Sequence, residues 1–336
     1  TACGDSNNSS WNAAASSLED SVEDAIAAGN TEPEASPIDA SSLEDCAYAL
    51  PDPTGEEAKA EQERFHTYLM DNFKDSVTSD TVTLHYTVAN PAHYDLDVPT
   101  ATFGDAEISE DAIASDKKET EDEITELQSF DYDLLTGSQK YTYDVIKDYL
   151  DLNLESYDYT YLYEPFAYTS VLQTNMPINM SEYKFYNEGD VQDYLALLGQ
   201  LSDYYGKYLD FEQTKIDKGL FMNEHSASEV VRQCEEFIAT PEENLLIATF
   251  EDKVRGVEGL SEEQIQDYIT QNHDTVINSV IPCYKNVINF FNAHKDDGQN
   301  DLGLAGFEHG KEYYAYLLKD KVGTDKTPEE VIDWLD

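Results

Sequence analysis

Apolar side chains recur at every third or fourth position along most of the chain, a spacing that predicts amphipathic helices. In EEAKAEQERFHTYLMDNF it places Phe65, Leu69 and Phe73 on one helical face. A longer run from Asp190 onward has an apolar stripe that consists of Tyr194, Leu197, Leu198, Leu201, Tyr205, Tyr208 and Leu209. Such stripes are more often core than ligand site, so we expect them to pack inside the protein.

Several helix starts are marked by a hydroxyl residue followed three positions later by Glu or Gln, the pattern of the capping box. These starts are Ser226, Thr240, Ser261 and Thr327. The helix predicted after Thr136 has a stripe that consists of Tyr141, Val145, Tyr149 and Leu152. Pro282 interrupts the helical pattern that follows Ser261, so we expect a kink or break there.

One short stretch has a different period. In TVTLHYTV four apolar residues alternate with threonine and histidine, which predicts a β-strand over residues 81–88. The tyrosine-rich stretch over residues 157–180 has no clear period and predicts a long loop of a kind that is often functional. The predicted fold is therefore mainly α, a multi-helix domain with one short β segment.

The chain ends inside a predicted helix. Thr327 begins a capping box with proline at the first helical position, and only nine residues follow it. Trp334 and Leu335 start an apolar face, yet no glycine cap or closing lysine appears. We therefore expect the domain to be truncated within this helix.

Acidic residues dominate the charge of the chain. The 336 residues include 70 acidic and 20 basic side chains, for a net charge of −50. Such a chain repels phosphate backbones and anionic membrane surfaces, so no nucleic-acid partner is expected. We interpret the charge as a solubilising surface, with attraction of cationic substrates as the alternative. Residues 1–50, rich in Ser, Ala, Asp, Glu and Asn, predict a flexible acidic tether, and residues 51–336 the helical domain.

The cysteines suggest an anchor and not a redox or zinc site. No pair has C-x-x-C spacing. Cys234 and Cys283 fall in predicted helices and are expected to be buried free thiols, although the sequence leaves their pairing state, and that of Cys46, open.

The first residues, TACGDSNNSS, resemble the end of a bacterial lipoprotein signal, which makes Cys3 the candidate lipidation site; a cloning remnant is the alternative. No apolar run approaches the ~20 residues that span a bilayer. We therefore expect membrane attachment only through a lipid on Cys3, at the extracellular face of a bacterial membrane. Without that lipid the protein would be secreted.

No complete catalytic set is present in the sequence. None of the seven histidines is followed by glutamate, so the His-Glu-x-x-His zinc motif is absent. The Glu-His pairs at Glu224 and Glu308 lack the earlier histidine of the inverted motif. Nor is there a nucleophile elbow, a P-loop or a dinucleotide-binding fingerprint.

Five stretches resemble one bacterial family when taken in order. They are SDTVTLHYTVANPAHYDL, SQKYTYDVIKDYLDLNL, LQTNMPINMSEYKFYNEGDVQDYLALLGQLSDYYGKYLDFEQTKIDKGLF, VINSVIPCYKNVINFF and HGKEYYAYLLKDKVGTDKTPEEV. They are similar to the family named domain of unknown function 885, in a form found in bacterial lipoproteins, from Gly55 to Asp336. The resemblance implies an α-helical protein grouped with zincin-type metallopeptidases. The family's zinc motif, His-Glu followed by Pro-Gly-His, would lie beyond the last stretch.

The resemblance implies the N-terminal helical part of a zinc-dependent peptidase-like envelope lipoprotein, which forms part of a peptide cleft. Zinc is expected only with a C-terminal half, so this chain should hold no cofactor and be inactive by itself. The alternatives are a non-catalytic surface lipoprotein that binds peptides or glycans, and a structural or interaction protein of the cell surface. Substrate, cleavage specificity, activity of a full-length protein and oligomeric state stay open.

The stretch GFEHGKEYYAYLL supplies the candidate substrate-binding residues, which are His309, Lys311, Tyr313 and Tyr314. By the resemblance, the two tyrosine hydroxyls could donate hydrogen bonds to a peptide, and the lysine could meet a carboxylate. The alternative is structural: the same tyrosines, with Tyr316, would pack a helix onto its neighbour, while Gly310 makes a turn.

Overall fold

The computed structural model describes Tyr48 and residues 50–169 and 171–335. The predicted tether falls almost entirely outside these residues, as do Cys3 and Cys46. Within the described ranges the fold is helical and contains no strand. None of the described helices is long and apolar enough to cross a membrane.

Thirteen α-helices follow one another along the described part of the chain. They are α1 Glu56–Val77, α2 Thr81–Thr87, α3 Glu110–Gln128, α4 Gly137–Ser156, α5 Leu172–Glu182, α6 Glu188–Asp217, α7 Glu224–Ile238, α8 Leu245–Ala248, α9 Phe250–Arg255, α10 Glu262–Thr275, α11 Ile281–His294, α12 Gly310–Leu317 and α13 Pro328–Leu335.

The long helix α6 lies at the centre of the main core. Most of its predicted apolar stripe is fully buried, with Tyr208 and Leu209 partly buried near its C-terminal end. The helices α7 and α11 pack closely against each other and contribute to the same core. A smaller core between α1, α3 and α4 consists of Phe65, Tyr68, Leu127, Phe130, Leu135 and Leu150.

The predicted strand over residues 81–88 is wrong, because this segment forms α2. The carboxylate of Asp80 caps the helix by accepting hydrogen bonds from the Thr83 backbone at 2.8 Å and the Thr83 hydroxyl at 2.6 Å. Thr81, Leu84 and Val88 are buried, and their spacing of three and four residues places them on one helical face. Of the alternating apolar set, Val82 is only partly buried and Tyr86 is exposed, so burial follows the helical period.

The tyrosine-rich segment is also more ordered than the sequence predicted. It begins with a 3₁₀ turn, Tyr157–Leu162, and ends in α5. Pro177 lies buried inside α5, so a residue that usually argues against a helix interior is tolerated here. The predicted loop is therefore confined to the residues between these two elements.

Two predicted capping boxes are confirmed. The Ser261 hydroxyl accepts from the Gln264 backbone at 3.3 Å, and the Thr327 hydroxyl from the Glu330 backbone at 3.2 Å. The other two predictions are wrong. Helix α7 starts earlier, with Asn223 as its cap, and a 3₁₀ turn without a side-chain cap follows Thr240.

The break predicted at Pro282 is confirmed as a π-helical turn. Residues Val276–Val280 form this turn between α10 and α11, and Pro282 follows in the first turn of α11. Because the π-helical turn before Pro282 holds one extra residue, the helix does not require a backbone hydrogen bond from Pro282, which has no N–H group to donate. Val276 and Val280 stay buried, so the core continues through the break.

Helix α4 is confirmed, but most of the stripe of residues that predicted it does not face the core. Tyr141, Val145 and Tyr149 point to solvent, and Leu150 contacts the small core instead. At the other end of the chain, α13 forms from Pro328, and the Trp334 side chain is exposed. Truncation of that helix stays a prediction.

Candidate functional site

The stretch that supplies the candidate substrate-binding residues forms α12. His309 precedes the helix with a left-handed φ of 59°, and its side chain is exposed. Gly310 is the first helical residue, and a Cβ atom there would clash with the carbonyl oxygen of Leu304. Glycine is therefore required for α12 to pack against the 3₁₀ turn Gly303–Gly306.

The structure separates the candidates on α12. Tyr313 and Tyr316 face inward against Tyr159, with ring centroids 5.5 and 5.7 Å from it. Lys311 and Tyr314 face solvent on the opposite side of the helix. Of the candidates, Tyr313 alone lies beside other polar groups that are withdrawn from solvent.

Those polar groups belong to a buried ionic cluster on and near α6. The Lys215 side chain is fully buried, with its Nζ atom 3.0 Å from Oε1 of Glu164 and 3.5 Å from Oε2 of Glu212. The same ammonium group donates a hydrogen bond to the Tyr163 carbonyl at 2.9 Å. One cation therefore holds two carboxyl groups that come from different parts of the chain.

Burial controls the protonation of this cluster. It raises the pKa of Glu212 to about 8, although Lys215 opposes the shift; the charge of Glu164 adds to it. Neither carboxyl oxygen of Glu212 accepts a hydrogen bond of good geometry. Burial also raises the pKa of Glu164, again against the effect of Lys215. Near neutral pH the fully buried Glu212 therefore keeps its proton, and Glu164 is the carboxyl group closer to Lys215, at 3.0 Å.

A groove gives solvent access to this ion pair. Its volume is about 340 Å³, and Glu164, whose side chain is 31% exposed, forms part of its wall. The remaining lining residues are mostly aromatic, apolar or amide side chains: Tyr163, Pro165, Val171, Leu172, Asn175, Met176, Asn179, Tyr204 and Tyr208. The hydroxyls of Tyr204 and Tyr208 lie 3.3 Å apart. The groove thus offers a carboxylate beside several hydroxyl and amide groups.

Tyr313 belongs to the same neighbourhood. Burial, with smaller contributions from the nearby Tyr316, Tyr163 and Glu164, raises its pKa to about 12. The phenol therefore stays neutral and able to donate a hydrogen bond near Glu164. Sequence reasoning missed Glu164, Lys215 and Glu212, because Glu212 and Lys215 have the spacing of an ordinary surface pair on a helix. Among 70 acidic residues, no sequence signal singled them out.

The arrangement suits recognition of a positively charged group. A partly exposed carboxylate with tyrosine hydroxyls can accept hydrogen bonds from an ammonium group and donate them to carbonyl oxygens. Within residues 50–169 and 171–335, no three His, Cys, Asp or Glu side chains lie close enough together to hold a metal ion.

Comparison with known proteins identifies the family of the chain and a solved structure of similar fold. The model of the bacterial proteins of unknown function called DUF885 matches residues 101–335, which include the ionic cluster and α12. No curated protein matches the chain. A solved structure described as a "putative lipoprotein" from Colwellia psychrerythraea matches with a TM-score of 0.67 and 14% identity. The match covers 81% of this chain and 48% of that one, so this chain spans about half its length. At this identity the likeness shows the fold alone.

Proposed function

The chain belongs to the DUF885 family of bacterial proteins, and we propose that it is the helical, peptide-binding part of a zinc-dependent peptidase-like lipoprotein of the bacterial envelope. The groove beside Glu164 would bind the peptide. Zinc and the hydrolytic groups would belong to a segment beyond these residues.

One observation carries the binding role. Lys215 holds the Glu164 carboxylate in place from the buried side, while 31% of the Glu164 side chain stays exposed. A peptide's terminal ammonium group would make a charge-assisted hydrogen bond to this carboxylate. The hydroxyls of Tyr204 and Tyr208 would then face the peptide backbone along the groove.

Binding by the 336-residue chain tests this role directly. Calorimetry would compare a short peptide with a free amino terminus and its N-acetylated form. Glu164→Gln should weaken binding of the free peptide about tenfold, since a hydrogen bond to a charged group contributes about 1.5–3 kcal/mol. Glu235→Gln removes an exposed acid on α7 and is the matched control. Equal effects of the two substitutions would exclude Glu164 as the recognition group.

The enzymatic role requires the coding sequence beyond Asp336. We expect a His-Glu dipeptide with a nearby Pro-Gly-His there, and we expect the longer protein to bind zinc and cleave peptides. A continuation without these ligands, or a stop codon directly after Asp336, would contradict the proposal that the protein is a peptidase. Peptide or glycan binding by a surface lipoprotein would then be the function left to test, and the tyrosine-lined groove suits both ligands.

Lipid anchoring is a separate part of the proposal. Cys3 lies outside the described residues, and its role follows from the sequence TACG alone. Metabolic labelling with a fatty acid should modify the wild-type precursor and not a Cys3→Ser variant. Labelling of both proteins, or of neither, would contradict the anchor.

A further inference from the structure

A second and larger depression lies at the junction of α2 with the start of α6. This cleft has a volume of about 690 Å³, and no residue lines both it and the groove beside Glu164. The two are neighbours, because the Tyr86 hydroxyl in the cleft donates to the carbonyl of Asn179 in the groove at 3.5 Å. Neither the family resemblance nor the proposed peptide groove assigns a role to the cleft.

Aromatic rings form much of the cleft wall. Tyr183 is buried, and its ring stacks on His85 with centroids 3.9 Å apart and planes 14° apart. Tyr86 lies nearly perpendicular to Tyr183, and the Tyr186 ring centroid is 5.6 Å from that of His85. Tyr86 and Tyr186 are 54% and 70% exposed, so their rings are accessible to a ligand.

Two carboxylates share this cleft. One oxygen of Asp190 accepts from the backbone N–H groups of Tyr186 and Asn187 at 2.7 and 3.0 Å, and the other lies 3.6 Å from Nδ1 of His85. Burial by itself would raise the pKa of Asp190, but the donors outweigh this effect and keep the pKa below its ordinary value. Asp193 has no ion-pair or hydrogen-bond partner in the described chain, and burial followed by the charge of Asp190 raises its pKa.

The cleft also contains an unsatisfied buried nitrogen. The His85 side chain is only 7% exposed, and its Nε2 atom has no hydrogen-bond partner in the described part of the chain. Because this nitrogen is itself covered by protein atoms, it belongs to the wall behind the cleft and is not a contact for a ligand. No lysine or arginine is among the described residues that line the cleft, so His85 is the one basic side chain in that lining beside the two carboxylates.

We propose that this cleft binds an alkylammonium group, held between the exposed rings of Tyr86 and Tyr186 and the carboxylates of Asp190 and Asp193. Aromatic faces attract cations through their quadrupole, and the carboxylates add a direct electrostatic attraction. The volume lies within the range of small-molecule sites. The same chemistry is carried by a free quaternary amine and by a lysine side chain of a peptide.

Calorimetric titration of the 336-residue chain with choline and with 3,3-dimethyl-1-butanol tests the proposal, because the two have the same shape and only choline is charged. We expect choline to bind at least about tenfold more tightly than the neutral alcohol. An N-acetylated tripeptide with a central lysine is the second probe. Tighter binding of the tripeptide indicates a peptide side chain as the natural ligand, and tighter binding of choline a free amine.

Two substitutions test whether choline binds in the cleft. Asp193→Asn and Tyr186→Ala should each weaken choline binding about tenfold, since one removes the unpaired carboxylate and the other an exposed ring. Asp203→Asn removes an exposed acid from the same helix outside the cleft and should change nothing. Glu164→Gln should also leave choline binding unchanged, which separates this site from the groove. Equal binding of choline and the alcohol, no binding of either cationic probe, or equal effects of Asp193→Asn and Asp203→Asn would overturn the proposal.

Discussion

The ammonium group of Lys215 lies 3.0 Å from the carboxylate of Glu164, and the Lys215 side chain has no exposed surface. A buried ion pair offsets a large desolvation penalty only while both partners are present. The pair therefore fixes the geometry of the groove wall more than it stabilises the fold.

Removal of the buried Lys215 cation should destabilise the fold severely. In Lys215→Met, Glu164 and Glu212 lose their shared partner, and we expect the free energy of unfolding to fall by about 3–5 kcal/mol. Urea denaturation measures this change. Lys207→Met is the control: Lys207 forms an exposed pair with Asp105 at 3.1 Å, so the cost should stay within about 1 kcal/mol.

The double variant Lys215→Met with Glu164→Gln should recover part of that loss, because one fewer carboxylate is left unpaired. Similar losses for Lys215→Met and Lys207→Met would contradict a buried ion pair.

Stability should depend on pH through Glu212. Burial raises its pKa from an ordinary value of 4.5 to about 8, so between these pH values the folded protein holds a proton that the unfolded chain has released. The free energy of unfolding should therefore fall as the pH rises through this window, by about 1.4 kcal/mol for each unit of pKa shift that is realised.

Comparison with Glu212→Gln isolates this group, since the amide cannot ionise. The stability of wild type relative to this variant should decline from pH 4.5 to pH 8, whereas Glu235→Gln should follow the wild-type profile. Parallel wild-type and Glu212→Gln profiles would show that Glu212 has an ordinary pKa.

Two glycines should respond in opposite directions to alanine. Gly310→Ala places a methyl group against the Leu304 carbonyl and should displace α12 or destabilise it by more than about 1 kcal/mol. Gly199 lies inside α6 with open space around it, so Gly199→Ala should stabilise by about 0.5–1 kcal/mol through helix propensity. Thermal denaturation measures both, and a neutral Gly310→Ala would contradict the close packing of α12.

The two described cysteines should resist thiol reagents. Burial raises the pKa of Cys283 to about 12 and that of Cys234 further, and both thiols are free. In a Cys3→Ser, Cys46→Ser background we expect reaction on the order of a thousandfold slower than for free cysteine at pH 8, until urea unfolds the chain. Rapid labelling in native buffer would show that the helices around these thiols open readily.

Local patterns predicted the helices well wherever the signal lay within neighbouring residues. The stripe on α6, the caps at Ser261 and Thr327, and the interruption at Pro282 each depend on side chains within one or two turns. The strand prediction over residues 81–88 was wrong because the buried set includes Thr81, a polar residue, at helical spacing from Leu84 and Val88, whereas Tyr86 of the alternating set is exposed. On α4, the pattern identified the helix but not which face meets the core.

Local sequence patterns predicted much less of the candidate site than of the helices. The resemblance directed attention to α12, and Tyr313 does lie near the ionic cluster, while Lys311 and Tyr314 face solvent. Glu164 and Lys215 could not be paired from the sequence, because an acid and a base gain their significance only when the chain buries them together.

The sequence by itself determined the helical class, the core stripe of α6 and the excess of acidic residues, because periodicity, caps and charge are properties of the chain. Only the tertiary structure decided which polar groups leave water. The buried ionic cluster around Lys215 and the cleft between α2 and α6 consist of ordinary charged and aromatic residues. They are candidate sites only because the fold withdraws them from water, and that desolvation depends on residues that are distant in sequence.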